Sequence, residues 1–380
     1  MHRKFSFAVS FTCLLALLAW PTTAQKKSKE ACFTAEARAN AERTAKVWHE
    51  PDPGYDPVLG HNPTNGPRTG APSVNAEGLA SPIVCVANPD ETKGSGTTPK
   101  FHCSVAGVVD ESGDLVRYKV KPHFKGQGRD KRNGEIYGEF LSSRFSQALG
   151  FFADDEWVAD VTCQDCKKSL TKDFQGTSFT PFQPAAGIEL SLGKGIDVDC
   201  NGKDAAGLQE TLDNLLKNGA PRAEIDAFKL WLAFIDHGDT KTDNQRFACL
   251  DSEKNNDGSR TCKAGQAVYY ISDMGSTFGH SSASEKKARL EAWRGKDPIK
   301  VSGGACTTTA KNVGNAEVSE AGRKLLAAGL QRLLAAEQSN GLITRVFRAS
   351  RNSERDAPPE AWTAEFVRKA NTIINATCGQ

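Results

Sequence analysis

The feature that most constrains this chain is a polar loop that joins a predicted helix to a predicted strand. Residues 223–235 carry apolar side chains at helical spacing, which indicates an amphipathic helix. The next stretch, 237–244, reads His-Gly-Asp-Thr-Lys-Thr-Asp-Asn, and a strand-like run at 246–250 follows it. A second strand-like run at 268–272 is followed directly by Asp273. One acidic loop of this kind is usually a solvated turn, but two of them, each at the end of a regular element, form a far more specific pattern.

The two loops resemble the catalytic loop and the metal-binding turn of protein-kinase-like phosphotransferases, since His237-x-Asp239-x-Lys241-x-x-Asn244 precedes an Asp273-x-Gly turn. The resemblance implies that Asp239 is the general base or orienter of an acceptor hydroxyl, with Lys241 near the transferred phosphoryl group. It implies that Asn244 and Asp273 hold Mg²⁺, or Mn²⁺, against the phosphates of ATP. His237 is expected to brace the loop rather than to react.

Three predicted strands lie upstream, at 82–87, 100–106 and 115–121. The turn between the first two contains Gly94-Ser-Gly96. In the family that the chain resembles, a glycine-rich loop at this place covers the phosphates, because bare backbone amides can approach anionic oxygens. Gly94 and Gly96 are therefore candidate phosphate-binding residues, although the full Gly-x-Gly-x-x-Gly pattern is absent and an ordinary hairpin turn is the alternative.

The third strand should supply a lysine that pairs with phosphate. Lys119 and Lys121 alternate onto one face of this strand, and Lys121, at the end of the strand, is the favoured candidate. A helical stripe at 134–150 follows, and Glu139 lies off its apolar side, where it would hold the lysine; Glu135 is the alternative. The match is closest to atypical branches: bacterial toxin kinases, phosphoinositide-kinase-like enzymes and secretory-pathway kinases. For each residue taken alone, a solvated surface position is the competing interpretation.

The remaining patterns predict an α+β fold. Strands are predicted at 156–163 and 186–192, and helices at 208–216, 318–338 and 358–374. The resemblance implies a bilobal protein-kinase-like architecture, stabilised by disulfides, with a strand-rich N-lobe at 81–200 and a helical C-lobe at 201–380, after an irregular extension at 25–80. The resemblance implies that residues 276–284 form an activation segment, with an ordinary loop as the alternative, but no Ala-Pro-Glu motif follows, which argues against a docking platform for a peptide substrate.

The first 24 residues have the pattern of a secretory signal peptide. A basic start precedes a short apolar run at 7–20, and small residues lead to a predicted cut near Ala24. The run is too short for a comfortable membrane span, and no later run is long enough to cross a bilayer. The mature chain is therefore expected to be secreted or periplasmic, soluble and monomeric.

The chain has eleven cysteines, and the loss of Cys13 with the signal would leave an even number in an oxidising compartment, where disulfides form. Connectivity cannot be deduced from sequence alone, but neighbouring predicted elements suggest three pairs. These are Cys249–Cys262 across a hairpin tip, Cys85–Cys103 across adjacent strands, and Cys306–Cys378 near the end of the chain. For Cys163-x-x-Cys166, disulfides are favoured over half of a zinc site, because of the compartment.

Charge gives no indication of nucleic-acid binding, because residues 25–380 carry equal numbers of basic and acidic side chains once Arg3 and Lys4 are removed. The resemblance implies an exported ATP-dependent phosphotransferase that acts on a hydroxyl of a protein or a small molecule. A pseudokinase scaffold is the alternative from another class, because ATP is scarce outside the cytoplasm. An adenylyl transferase on the same fold and an unrelated cysteine-rich binding domain also stay open.

Overall fold

The computed structural model describes residues 34–87, 100–110, 115–121, 134–164, 186–196, 207–241, 244–257, 259–279, 289–309, 316–351 and 356–379. This part of the chain has a mixed α and β architecture, which confirms the predicted α+β class. Its helices are α1 (Ala35–Thr44), α2 (Glu135–Ala148), α3 (Leu208–Lys217), α4 (Arg222–Phe234), α5 (Leu290–Arg294), α6 (Glu320–Asn340), α7 (Leu342–Ala349) and α8 (Pro359–Asn375).

The strands fall into one large sheet and three small ones. They are β1 (Ile83–Ala87), β2 (Phe101–Val109), β3 (Leu115–Lys121), β4 (Asp155–Ala159), β5 (Val161–Gln164), β6 (Ala186–Leu190), β7 (Lys194–Gly195), β8 (Gln245–Cys249), β9 (Ser252–Lys254), β10 (Arg260–Cys262), β11 (Ala267–Ile271), β12 (Ile299–Ser302) and β13 (Ala305–Thr308). Sequence patterns did not predict α5, α7, β7, β12 or β13, which are short or carry little apolar periodicity.

The large sheet curves into a barrel. Its strand order is β4-β6-β3-β2-β1-β5, yet β4 and β5 at its two ends are separated in the chain by Asp160 alone. The predicted single strand at 156–163 is therefore wrong in one respect: it bends at Asp160, pairing with β6 before the bend and with β1 after it. Apolar side chains fill the interior because successive residues alternate between the two faces of a strand. They include Phe101, Tyr118 and Trp157.

The helix α2 packs outside the barrel and belongs to the core of the helical region. The Phe145 ring lies 4.8 Å from the Phe366 ring of α8 and 5.6 Å from the Phe347 ring of α7, centroid to centroid. The indole nitrogen of Trp231 in α4 donates to the Ser146 hydroxyl at 2.8 Å. One continuous apolar core therefore holds α2 against the C-terminal helices.

The extension that precedes the barrel contacts both regions. After α1, residues 45–82 follow an irregular path with isolated bridges. Arg68 donates to the Asp155 carboxylate of β4 in the barrel (3.1 Å), and Arg345 of α7 in the helical region donates to the Ala76 carbonyl (3.1 Å). The extension is thus packed on the fold rather than projecting from it.

The three cysteine pairs suggested by the sequence are disulfide-bonded, which confirms those predictions. The first 33 residues and the Cys163 and Cys166 side chains lie outside what the structure describes. Among the helices that it does describe, none combines the length and apolar character needed to cross a bilayer.

Candidate functional site

A buried lysine on the outer face of the barrel is the centre of the candidate site. Lys121 ends β3, and its side chain is only 2% exposed. Its ammonium forms an ion pair with Glu139 of α2, which is also 2% exposed. The Asp273 Oδ1 atom lies 3.4 Å from the same ammonium. The structure therefore brings together one lysine and two carboxylates from three separate parts of the sequence.

Close packing around α2 allows the Lys121, Glu139 and Asp273 side chains to come together. A Cβ added at Gly187 of β6 would lie 2.8 Å from the Ile136 Cγ2 atom, and one at Gly138 would lie 2.9 Å from the Gly275 carbonyl oxygen. A Cβ at Gly275 would lie 2.7 Å from the Glu135 Cβ atom. Larger side chains at these positions would push α2 away from β6 and from the Asp273 turn. Glu135, the alternative to Glu139, therefore packs against the turn, while Glu139 reaches the lysine.

The charged groups in this cluster shift one another's pKa values. Burial alone would lower the pKa of Lys121, but the Asp273 and Glu139 carboxylates outweigh it and raise that pKa well above its ordinary value. Burial would raise the pKa of Asp273, but Lys121 and Lys119 hold it well below the usual range. Burial raises the pKa of Glu139 despite the attraction of Lys121. The two lysines therefore favour the ionised form of Asp273 most strongly.

The loop that begins at His237 is hydrogen-bonded to the segment after Asp273. The helix α4 ends at Phe234, and Asp236 takes a left-handed backbone conformation with φ of +53°. The Gly238 amide then donates to the Ser276 carbonyl at 2.8 Å. These contacts fix where the loop begins relative to the Asp273 turn.

The two loops also meet through the strands β8 and β11, which pair antiparallel. The Ser272 amide donates to the Asn244 carbonyl at 3.0 Å, and the Asn244 side-chain amide donates to the Asp239 carbonyl at 3.0 Å. Asn244 is buried and therefore links the loop that carries Asp239 to the residue before Asp273.

His237 is buried and is affected by the charges of both Asp239 and Asp273. Burial lowers the pKa of its imidazole, and the Asp239 and Asp273 carboxylates partly oppose that shift. Asp239 itself is more open: it forms an ion pair with Lys241 at 2.9 Å, and the two side chains are 31% and 50% exposed. Exposure of Asp239 leaves room for a hydroxyl compound to approach its carboxylate.

The other predicted residues divide into two groups. Lys119 does not join the cluster directly, because it forms an ion pair with Glu189 of β6. Gly94 and Gly96 lie outside the described residues. Sequence reasoning missed Glu189 and Lys100, because the alternation of residues within one strand does not show which face a residue shares with a neighbouring strand; that requires the register between the strands.

No group of three or more histidine, cysteine, aspartate or glutamate side chains is arranged to hold a metal ion within the described part of the chain. A pocket of 470 Å³ lies elsewhere, between residues 43–49 and 218–224, and none of the residues of the lysine cluster lines it. The candidate site is therefore defined by its charged side chains rather than by that pocket.

Comparison with known proteins yields a distant structural similarity. No protein-family model matches the sequence. No curated protein matches it either. Among solved structures, the chain is similar to a Helicobacter pylori proinflammatory kinase, CtkA, at 8% sequence identity, over 77% of this chain and 93% of that one. The TM-score is 0.37, which marks a distant similarity.

Proposed function

We propose that the chain is an ATP-dependent phosphotransferase of the protein-kinase-like type, with a bilobal fold, that transfers a phosphoryl group to a hydroxyl of a protein or a small molecule. One observation carries the proposal: Lys121 of β3 is buried against Glu139 of α2 and lies 3.4 Å from Asp273. Burying a charge is costly unless it is paired, and a strand, a helix and a loop all contribute to this arrangement.

The residues fit an Mg²⁺ ion. Mg²⁺ prefers oxygen ligands and is usually bound by one or two protein carboxylates together with substrate phosphates. Asp273 supplies an ionised carboxylate, and the bond from the Asn244 amide nitrogen to the Asp239 carbonyl leaves the amide oxygen of Asn244 as its ligand atom. When bound, the ion would neutralise charge on the phosphates.

Each remaining residue has a role that its surroundings support. The acceptor hydroxyl would give its proton to Asp239 while its oxygen forms a bond to the γ-phosphorus of ATP. The bond from that phosphorus to the bridging oxygen would break, and ADP would leave with the electron pair. Lys121 would hold the phosphates, Glu139 would hold Lys121 in place, and Lys241 would stand near the transferred group. Positioning and charge supply most of the catalysis in such reactions.

We further propose that the protein is exported. Disulfides form and persist in oxidising compartments and are rare in the cytosol. The bonds Cys85–Cys103, Cys249–Cys262 and Cys306–Cys378 therefore support the predicted signal peptide at residues 1–24. A nucleotide would have to be available to the protein in that compartment or before export.

The first test is the melting temperature of the mature chain with and without Mg-ATP. A ligand that binds only the folded state raises stability by about 2.7 kcal/mol at a concentration one hundred times its Kd. We expect a metal-dependent rise of several degrees that Asp273→Asn removes. Glu253→Gln, at an exposed position in β9, is the matched control and should keep the rise. No rise at millimolar nucleotide would contradict the proposal.

The second test separates an enzyme from a nucleotide-binding scaffold. Asp239→Asn should abolish turnover, measured as ADP release, while the affinity for Mg-ATP stays within about twofold. General bases typically contribute about 10²–10⁴-fold to a rate. Unchanged turnover would remove Asp239 from its role, and wild-type protein that binds Mg-ATP without turnover would favour the scaffold.

A further inference from the structure

A third lysine lies on the same outer face of the barrel as Lys119 and Lys121. Lys100 directly precedes β2, which pairs antiparallel with β3 so that His102 lies opposite Lys119. Extending this register by two residues places Lys100 opposite Lys121. Directly opposite residues of an antiparallel pair point to the same face of the sheet. The end of the β2–β3 ladder therefore presents two lysines side by side.

The three lysines differ in how their charges are compensated. Lys119 forms an ion pair with Glu189, and Lys121 forms ion pairs with both Glu139 and Asp273. Lys100, in contrast, has no carboxylate within 4 Å among the described residues, although it is partly buried. Among the described residues, Lys100 is therefore the one of these three lysines without an ion-pair partner.

The electrostatic surroundings of Lys100 agree with this difference. Burial lowers the pKa of its ammonium, and the positive charges of Lys119 and Lys121 lower it further. Asp273 and Glu189 oppose the shift only in part. A bound anion would offset both the burial of the Lys100 ammonium and its repulsion by Lys119 and Lys121. The position is therefore favourable for an anion.

We infer that Lys100 is a second phosphate-binding residue, which contacts the triphosphate of the nucleotide beside Lys121; the inference rests on the proposed function. Lys121 shares its positive charge with two carboxylates, so it offers little net charge to a highly anionic ligand. Lys100 supplies that charge from the adjacent strand. A lysine ammonium is a compact charge with three rotatable donors, which suits contact with phosphate oxygens.

The experiment compares Lys100→Met with wild type and with the control Lys300→Met, which removes an exposed lysine from β12. Dissociation constants are measured by calorimetry for Mg-ATP, for magnesium tripolyphosphate and for adenosine. We expect Lys100→Met to weaken the binding of both phosphate compounds by about tenfold or more, since bonds to charged groups are strong. Adenosine affinity should not change, and Lys300→Met should behave as wild type throughout.

A second readout separates a binding role from a structural one. Because the folded state disfavours the charge on Lys100, the melting temperature of Lys100→Met without ligand should equal or exceed that of wild type. A lower melting temperature, together with equal losses for adenosine and tripolyphosphate, would mean that Lys100 supports the fold, and would overturn the inference.

The outcomes distinguish the two proposals. If wild type binds Mg-ATP and Lys100→Met binds it equally well, the role of Lys100 is wrong and the proposed function stands. If wild type binds tripolyphosphate through Lys100 but shows no preference for ATP, Lys100 is an anion-binding residue and the nucleotide proposal fails. If wild type binds neither compound at millimolar concentration, both are wrong.

Discussion

The buried cluster and the exposed loop of the candidate site use the same types of charged group in opposite surroundings. Lys121 and Glu139 are each 2% exposed, whereas Asp239 and Lys241 are 31% and 50% exposed. In the cluster, water cannot replace a missing partner, so each charge depends on the others. In the loop, water can replace either partner, so the ion pair is worth little to stability.

This contrast separates the roles that the residues can have. A buried charged group on the cluster side affects both the fold and any chemistry, so the loss of activity in a variant there proves little by itself. An exposed residue such as Asp239 can be changed with the fold intact, so its variants report on chemistry. The free energy of unfolding and the turnover must therefore both be measured for each variant. We expect variants in the cluster to lower both quantities and variants in the loop to lower turnover alone.

The largest effect is expected from Lys121→Met. The change leaves the Asp273 and Glu139 carboxylates without their counter-charge, and breaking a buried ion pair by removing one partner typically costs about 3–5 kcal/mol. We expect the free energy of unfolding in urea to fall by that amount, with loss of Mg-ATP binding.

The matched control for this prediction is the double variant Lys121→Met with Glu139→Gln. Removing the charge of the partner should restore part of the lost stability, because fewer buried charges are left unpaired. A loss below about 1 kcal/mol in the single variant would show that the cluster is solvated, and the contrast with the loop would disappear.

A smaller effect is expected from pH, through Asp154. Burial, reinforced by Glu189, raises the pKa of this carboxyl to about 7. Its Oδ1 atom accepts bonds from the Tyr270 hydroxyl and the Leu192 amide, both at 2.8 Å. In the unfolded chain the pKa is about 3.9, so between these values the unfolded state has released a proton that the folded state keeps. Stability should therefore fall as pH rises through this interval.

The measurement compares wild type with Asp154→Asn, which cannot titrate there and keeps an acceptor oxygen. The free energy of unfolding of the variant relative to wild type should rise between pH 4 and pH 7, by about 3 kcal/mol. Charged neighbours that are common to both proteins, including Glu189 and Lys119, cancel in the difference. A constant difference across this range would show that Asp154 is ionised in the folded protein.

The sequence predicted the exposed loop better than the buried cluster. The pattern at 237–244 lies in one contiguous stretch, and its helix and strands have strong periodicity, so α4, β8 and β11 were predicted correctly. Lys121 was favoured over Lys119 only by its place at the end of the strand, because both lie on one strand face; the position of Glu189 on β6 is what separates them. That position depends on the register between β3 and β6, which places Glu189 opposite Lys119 and which sequence patterns did not predict. Nor could sequence predict that Lys100 lies opposite Lys121, since this requires the register between β2 and β3.

The smallest effect on stability is expected in the exposed loop. A double-mutant cycle with Asp239→Asn and Lys241→Met should give a coupling energy of about 0.2–1 kcal/mol, as is usual for ion pairs in contact with water. Added salt should reduce this energy, because exposed charges are screened, while the destabilisation by Lys121→Met should change little. A coupling energy above about 2 kcal/mol would mean that Asp239 depends on its partner as strongly as the buried residues do. In that case the loss of turnover in Asp239→Asn could no longer be assigned to proton transfer, because the loop itself would have changed.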